Sequence, residues 1–380
     1  MQEHALAERL ITYDTCTLEG IQSAAGFVKG WLESRDVAVS VGSHNGLPVI
    51  AATVGAHAGA DAPTVVFHGH LDVVPGRPEQ FVPRTDGDRL FGRGAYDMKG
   101  GLASLMVATR DLSEQRDVRV HLVVVADEES DEITQRGSDY LVEQGYTGDF
   151  AITGEPTDLH IGVQAKGVLA MRIEVSGKSA HGSTPWLGDN AVLKAIDVFR
   201  QIESMPFSRE SSEFFDRPSI SLGRIIGGDV INKVPDLCAM DVDVRYLPGQ
   251  DPERILDEVR AIPDVQVSKV FIRDPAIVER SNPYVQLLAS AVAEGTPADR
   301  ISVGRDGASD AISFIEAGVP AVEFGPEGAG HHGPEEWVSI ASLGRYRQAL
   351  TDFVLQLPAK LDELADAPAT PLRAVEGGRA

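Results

Sequence analysis

The 380-residue chain is poor in cysteine, in basic side chains and in long apolar runs. Cys16 and Cys238 are its only cysteines, so one disulfide is possible and a disulfide framework is excluded. Lys and Arg total 34 against 57 Asp and Glu, a formal net charge of −23. Such an acidic surface repels phosphate backbones and anionic lipids, which argues against nucleic acid and membrane as partners, and it tolerates metal cations. No apolar run approaches the ~20 residues needed to cross a bilayer. The opening MQEHALAERL lacks the basic-then-apolar order of a signal peptide. These absences give the expectation of a reduced, soluble, cytoplasmic protein. What is present is ordinary for a globular chain: 43% apolar and 24% charged residues, enough to bury a sizeable core. At roughly 150 residues per domain, the length suggests two domains.

The pattern along the chain changes twice. Up to about residue 166, valine-rich runs such as PTVVFHGHLDVVP, VRVHLVVVADEE and DFAITGEPT alternate with helical stretches such as GGLASLMVATRDL. Continuous apolar strands between helices indicate an α/β layer structure with a largely parallel sheet. From 167 to 274 the strands alternate in polarity instead: VLAMRIEVSG, ISLGRII, MDVDVRYLP and VQVSKVFI, with helices at DNAVLKAIDVFRQIESM and DPERILDEVRAI. The order β-α-β-β-α-β is that of a ferredoxin-like α+β unit. The first pattern resumes over 275–365. A second domain is therefore expected to be inserted into the first, and residues 366–380, rich in Ala, Pro and Gly, are expected to form a disordered tail.

Five clusters end predicted strands or sit in the loops after them, where open α/β sheets bind ligands. In HGHLD, side chains alternate, so His70 and Asp72 face the same way. A ligating histidine gives its other ring N–H to a carboxylate, and Asp72 suits that part. His70 bonded only to a carbonyl is the alternative. Asp97, in GRGAYDMKGG, either caps the following helix or bridges two metals through its two oxygens. Glu128 and Glu129 either form a solvated turn or divide two tasks, one holding a metal and the other acting as general base. Glu155, in TGEPT, is a ligand or an exposed loop charge. Of the adjacent His331 and His332, in GAGHHGPEEW, one is expected to be a ligand. Oxygen and imidazole donors without thiolate suit Zn²⁺, Mn²⁺ or Co²⁺ in a hydrolytic site. GRGAYDMKGG is not a nucleotide loop, because it lacks both the Gly-Lys-Ser/Thr ending and the GxGxxG spacing.

HGHLDVVPG, GRGAYDMKGG, ADEE, GEPT and HHGPEEWV, in this order and spacing, resemble the dinuclear-zinc peptidases and deacylases. That family includes acetylornithine deacetylase, succinyl-diaminopimelate desuccinylase, aminoacylase and glutamate carboxypeptidase. The resemblance covers residues from about 5 to 360. It implies that His70 and Glu155 bind one metal, that Glu129 and His332 bind the other, and that Asp97 bridges them. Glu128 would be the general base and Asp72 the partner of His70. His332 is preferred over His331 because the family's ligand lies four residues before a Glu, here Glu336. The resemblance also implies a cis peptide bond at Asp97–Met98.

The inserted unit would be the family's lid and homodimer contact. SGKSAHGSTP places His181 where the family has an oxyanion-stabilising histidine, often supplied by the partner subunit. GGDVINKVP places Asn232, and DVRYLP places Arg245, as substrate contacts, Arg245 for a carboxylate. GRDGASDAISF places Gly307 and Ser309 along the same pocket. Two loops depart from the family: DTCTLEG replaces a frequent Asn-Pro-Pro, and Ser130-Asp131-Glu132 stands where Gly is common after the paired glutamates. The Glu at 155 matches deacylases and carboxypeptidases, whereas aminopeptidases carry Asp. The expected activity is hydrolysis of the amide of an N-acyl amino acid with two divalent metals, Zn²⁺ first and Co²⁺ or Mn²⁺ next. The alternative is a carboxypeptidase or dipeptidase of the same family.

Overall fold

The segment ending in HGH forms the strand Thr64–His70, buried along its whole length. A computed structural model describes residues 2–55, 59, 62–129, 135–292, 301–307 and 309–366 of the chain. Thr64–His70 lies parallel to Arg119–Val125 on one side and to Phe150–Thr153 on the other. Ala321–Glu323 extends this parallel centre. The eight-stranded sheet is completed by the hairpin Val39–His44 and Leu47–Val54 at one edge, and by Ile161–Ala165 and Ile301–Arg305 at the other. The sheet is thus mixed: its valine-rich central strands are parallel, Leu47–Val54, Ile161–Ala165 and Ile301–Arg305 run antiparallel to them, and the edge strand Val39–His44 runs with them again. The helices Gln2–Ile11, Leu18–Glu33, Gly100–Asp111, Pro283–Ala291 and Ile340–Asp366 supply much of the packing around it.

Directly after Ile161–Ala165, with only Lys166 between, the chain enters Gly167–Ser176, the first strand of a separate four-stranded antiparallel sheet. This sheet runs Ser219–Gly227, Leu237–Tyr246, Gly167–Ser176, Val265–Arg273. The helices Ala191–Glu203 and Pro252–Arg260 cover one of its faces. Alternation in sequence explains which face: Leu169, Met171, Ile173 and Val175 are buried with Met240, Val242 and Val244, while Ala170, Arg172, Asp241 and Asp243 point the other way. The core of this sheet shares no residue with the core around the large sheet.

A third, small sheet escaped the sequence reading. Arg84–Asp86 and Arg89–Phe91 pair with Trp337–Ser339, which pairs in turn with Gly328–Ala329. Its strands are two or three residues long, too short to show a period. The hairpin strand Leu47–Val54 also went unread. Among the described residues, no helix is long and apolar enough to cross a membrane. Cys16 and Cys238 are both free thiols, one exposed and one buried. The tail expected from residue 366 lies, from 367 onward, outside the described residues.

Candidate metal centre

The carboxyl ends of the parallel strands meet along one edge of the large sheet, and the chemistry collects there. His70 is the last residue of its strand, Glu128 and Glu129 follow Arg119–Val125, and Glu155 follows Phe150–Thr153. The small sheet adds two loops from elsewhere. Pairing of Trp337 with Phe91 draws the His331–His332 turn to the turn that carries Asp97. The latter begins with Gly94 at φ 77, a left-handed conformation suited to glycine, and its Asp97–Met98 peptide is cis.

Asp97 sits between the two histidines. Its Oδ1 lies 3.2 Å from His70 Nε2, and its Oδ2 lies 3.4 Å from His332 Nε2. Glu155 Oε1 is 3.7 Å from His70 Nε2, and Glu129 Oε1 is 2.9 Å from His332 Nε2. Two triads result, His70–Asp97–Glu155 and Asp97–Glu129–His332, with Asp97 common to both and the ligand atoms of each within 4.8 Å of one another. His332 holds its place with φ at 61, a left-handed conformation costly for a residue with a Cβ. His331 lines the same cleft, its ring 6.0 Å from that of Tyr96.

The donor set fits a divalent cation. Glu155 Oε1 and Asp72 Oδ1 are buried without a hydrogen-bond partner, which in a protein interior calls for a missing positive charge or donor. Several carboxylates also crowd one cleft. Burial, opposed by His70, pushes the Glu128 carboxyl up to about 8. Burial together with Asp97 raises Glu155 well above the carboxylate range. Although burial raises Asp97, hydrogen bonds with His332 and His70 hold it well below that range. Hydrogen bonds to Asp97 and Glu129 push His332 up to about 10. Opposite shifts in neighbouring groups are the electrostatic mark of a site built around a charge.

Asp72 supports His70, mainly through its backbone. His70 Nδ1 is 2.9 Å from the Asp72 carbonyl oxygen and 3.5 Å from its carboxylate. Oδ2 of that carboxylate accepts the Glu129 backbone N–H at 2.8 Å, so one side chain steadies parts of both triads. Glu128 lines the cleft beside them. Its carbonyl accepts from Arg136 Nη1.

The structure distributes the remaining candidates unevenly. Arg245 and Gly307 line a cleft of about 850 Å³ together with Asp97, Glu128, Glu129, Glu155 and His332. Arg245 Nε donates to Asp243 Oδ2 at 2.9 Å. Ser309 is buried and its Oγ accepts from Ala311 N–H at 3.1 Å, so it shapes the start of the following helix. His181 and Asn232 are neighbours of each other, with Gly182 N–H donating to Asn232 O at 2.7 Å, but neither lines this cleft. His181 is exposed, with Nδ1 2.8 Å from Ser183 Oγ. Ser130-Asp131-Glu132 lie outside the described residues.

Sequence reasoning missed three groups. Glu323 is buried and lines the cleft, and it ends a buried strand just as Glu155 follows one, a signal that was available. Arg136 also lines the cleft, and nothing in its surroundings in sequence pointed to it. His68 is fully buried, with Nδ1 2.7 Å from Thr153 Oγ1 and Nε2 3.0 Å from Ser138 Oγ, and Ser138 Oγ donates to Asp310 Oδ2 at 2.7 Å.

Comparison with known proteins decides the family. Residues 66–356 match Peptidase family M20/M25/M40. The chain belongs to this family. It is 30% identical over 320 residues to the succinyl-diaminopimelate desuccinylase of Gluconacetobacter diazotrophicus, covering 78% of this chain and 81% of that protein. It is 31% identical over 310 residues to the enzyme of the same name from Gluconobacter oxydans, covering 76% and 80%. A family metallo-carboxypeptidase from Sulfolobus solfataricus shares the fold with a TM-score of 0.75 at 18% identity, covering 94% of this chain and all of that one (100%). An aminopeptidase from Bacillus cereus does so with 0.75 at 19% identity, covering 94% and 98%. As a member of this peptidase family the chain is a metal-dependent hydrolase of amide bonds.

Proposed function

We propose that this hydrolase is a two-metal deacylase that cleaves the amide of N-acyl amino acids, in the manner of the desuccinylases it resembles. The observation that carries the reading is Asp97, one oxygen of which faces each triad. His70 and Glu155 would hold one metal, Glu129 and His332 the other, and Asp97 both. Zn²⁺, or Co²⁺ or Mn²⁺ in its place, supplies Lewis acidity towards the amide carbonyl and acidifies water. Asp72 orients His70 and, through its bond to Glu129, keeps the two triads in register. Glu128 takes the proton of the attacking water on its carboxylate and returns it to the leaving amine. A carboxyl raised by burial is matched to both halves of that transfer.

Substrate contacts follow from the cleft. Arg245 would receive the α-carboxylate and Gly307 would border the acyl chain, with Ser309 holding that loop in place. His181 would stabilise the oxyanion and Asn232 would assist it, both reaching in from the partner of a homodimer. That neither lines the cleft within one chain favours this arrangement. Residues 167–274 would then be an inserted lid and dimer domain, with 1–166 and 275–365 forming the catalytic one. An unpaired edge strand, Ser219–Gly227, with Ile225, Ile226, Val230 and Ile231 exposed, supports such a contact. We place the enzyme in the cytoplasm, in keeping with its two free thiols.

The test is a panel of N-succinyl, N-acetyl and dipeptide substrates against metal-loaded protein, read by primary-amine release. Turnover of one acyl class supports the reading. Turnover of dipeptides alone would assign the chain to the peptidases of its family.

A further inference from the structure

The uncovered face of the four-stranded sheet looks across the cleft at the metal centre. Val168, Ala170, Asp243 and Arg245 line the same cleft as Glu128 and Glu155. Further along this face the cleft runs into a second cavity of about 490 Å³, and Ala170, Gly223, Arg224, Asp241 and Asp243 belong to both. The second cavity holds a concentration of positive charge that the chain as a whole lacks. Arg172 Nη1 lies 3.2 Å from Asp241 Oδ1, and Arg224 Nε donates to Asp241 Oδ2 at 2.6 Å. One carboxylate therefore serves two guanidinium groups. Lys269 lines the same cavity and has no acidic partner among the described residues. The charged residues of this cavity, Arg172, Arg224 and Lys269 against Asp241 and Asp243, carry a net charge of about +1 by ordinary ionisation, and Asp243 is itself engaged by Arg245 Nε.

We propose that this face is a subsite for a second anionic group of the substrate, beyond the carboxylate assigned to Arg245. The proposal rests on the deacylase reading for the position of the scissile amide, and it defines the substrate class as acyl amino acids or peptides with an additional carboxylate distal to that bond. Guanidinium groups already turned towards Asp241 present further N–H donors to a ligand, and the planar fork suits a carboxylate. Screening makes the local charge decisive. Charges farther than about 8 Å are largely screened at physiological ionic strength, so the acidic exterior does not cancel a basic patch inside a cleft. Arg224 keeps 61% of its side chain exposed, which leaves it accessible to a ligand.

Matched acid and amide ligands test the subsite. N-succinyl-L-alanine would be compared with its succinamoyl analogue, and N-acetyl-L-glutamate with N-acetyl-L-glutamine, by calorimetric binding to Zn²⁺-loaded Glu128→Gln protein. Within each pair the bonds to Arg245 and to the metal centre are common, so the ratio isolates the distal charge. At least one acid is expected to bind about tenfold more tightly than its amide, the size of one charge-assisted contact. Arg172→Gln combined with Arg224→Gln brings that ratio close to one. Asp241→Asn raises it, because both guanidinium groups are released, and general damage to the sheet would not raise it. If the double variant does not fold, Lys269→Gln, at an exposed position, is expected to lower the ratio about threefold. Equal binding within both pairs, or a ratio that Asp241→Asn lowers, overturns the proposal. If wild-type protein cleaves no acyl amino acid yet the ratio and its response to Asp241→Asn hold, the deacylase reading falls and the subsite stands. Cleavage without any acid preference gives the reverse.

Discussion

Arg93 Nη1 donates to Glu336 Oε2 at 2.8 Å, and both side chains are buried between the turn that carries Asp97 and the turn that carries His332. Glu336 also accepts the backbone N–H groups of Gly94, Tyr96 and Asp97 at 2.9, 3.0 and 3.1 Å. Arg93 Nη2 donates to the His332 carbonyl at 3.3 Å. The pair therefore clamps the turn that presents Asp97 to the turn that presents His332. Glu336→Gln keeps the shape but loses the charge and part of the acceptor capacity. Metal affinity is expected to fall about 10- to 100-fold, the range for supporting shells of metal sites. Competition with a chromogenic chelator measures it.

Glu128→Gln should separate chemistry from metal binding. Metal content by mass spectrometry is expected to match wild type, while kcat falls by at least about 10²- to 10⁴-fold, the usual contribution of a general acid–base group. Normal activity in a metal-replete variant would remove Glu128 from its proposed role.

Asp97→Ala removes the one side chain common to both triads. Stoichiometry after dialysis is expected to drop at both positions together, whereas Glu155→Ala is expected to lower one more than the other. Stripping the wild-type protein with a chelator should abolish amine release, and Zn²⁺, Co²⁺ or Mn²⁺ should restore it.

The histidine at 121 predicts an acid-side loss of stability away from the metal centre. Burial, helped by Arg119, pulls His121 down to about 4, and its Nδ1 lies 2.8 Å from Thr53 Oγ1. The folded protein keeps it neutral, while the unfolded chain protonates it near pH 6.5. Its contribution is complete above pH 6.5 and is lost as pH falls from there towards 4, by about 2 kcal/mol after allowance for partial exposure. Urea unfolding of wild type and His121→Gln across that window should show a smaller pH slope in the variant.

Ile231 is fully exposed in the chain, beside the free edge strand. Ile231→Asp is expected to shift the sedimentation coefficient from dimer to monomer. Because His181 is assigned to the partner's site, amine release is expected to fall with the dimer fraction and to recover at high protein concentration.

The strands and helices of both large layers were legible in sequence because burial on both faces, or on one, leaves a period that survives in eight or ten residues. Thr64–His70 is valine-rich throughout, and Leu237–Tyr246 alternates cleanly. The residues of the two triads were legible because each ends or follows a strand or marks a glycine-rich turn. The clamp was not. Glu336 stood out in sequence only as a spacing mark after His332, since three of its partners are backbone N–H groups, which any residue types could supply, and the fourth is Arg93, all some 240 residues away. Ser309 was read from its motif as a contact in the pocket, but its hydroxyl is engaged by Ala311 N–H, a local bond that a sequence pattern does not reveal.

The single residue Lys166, between Ala165 and Gly167, has its Nζ 2.7 Å from Asp306 Oδ1 and donating to the Arg217 carbonyl at 2.8 Å. On either side of it lie hydrophobic cores with no member in common. Substitutions on the open sheet face therefore leave the packing beneath the metal ligands untouched. Under the proposed subsite, the residues that would select the ligand and those that would cleave it rest on different cores, so one lineage could change what it cleaves without relearning how to cleave.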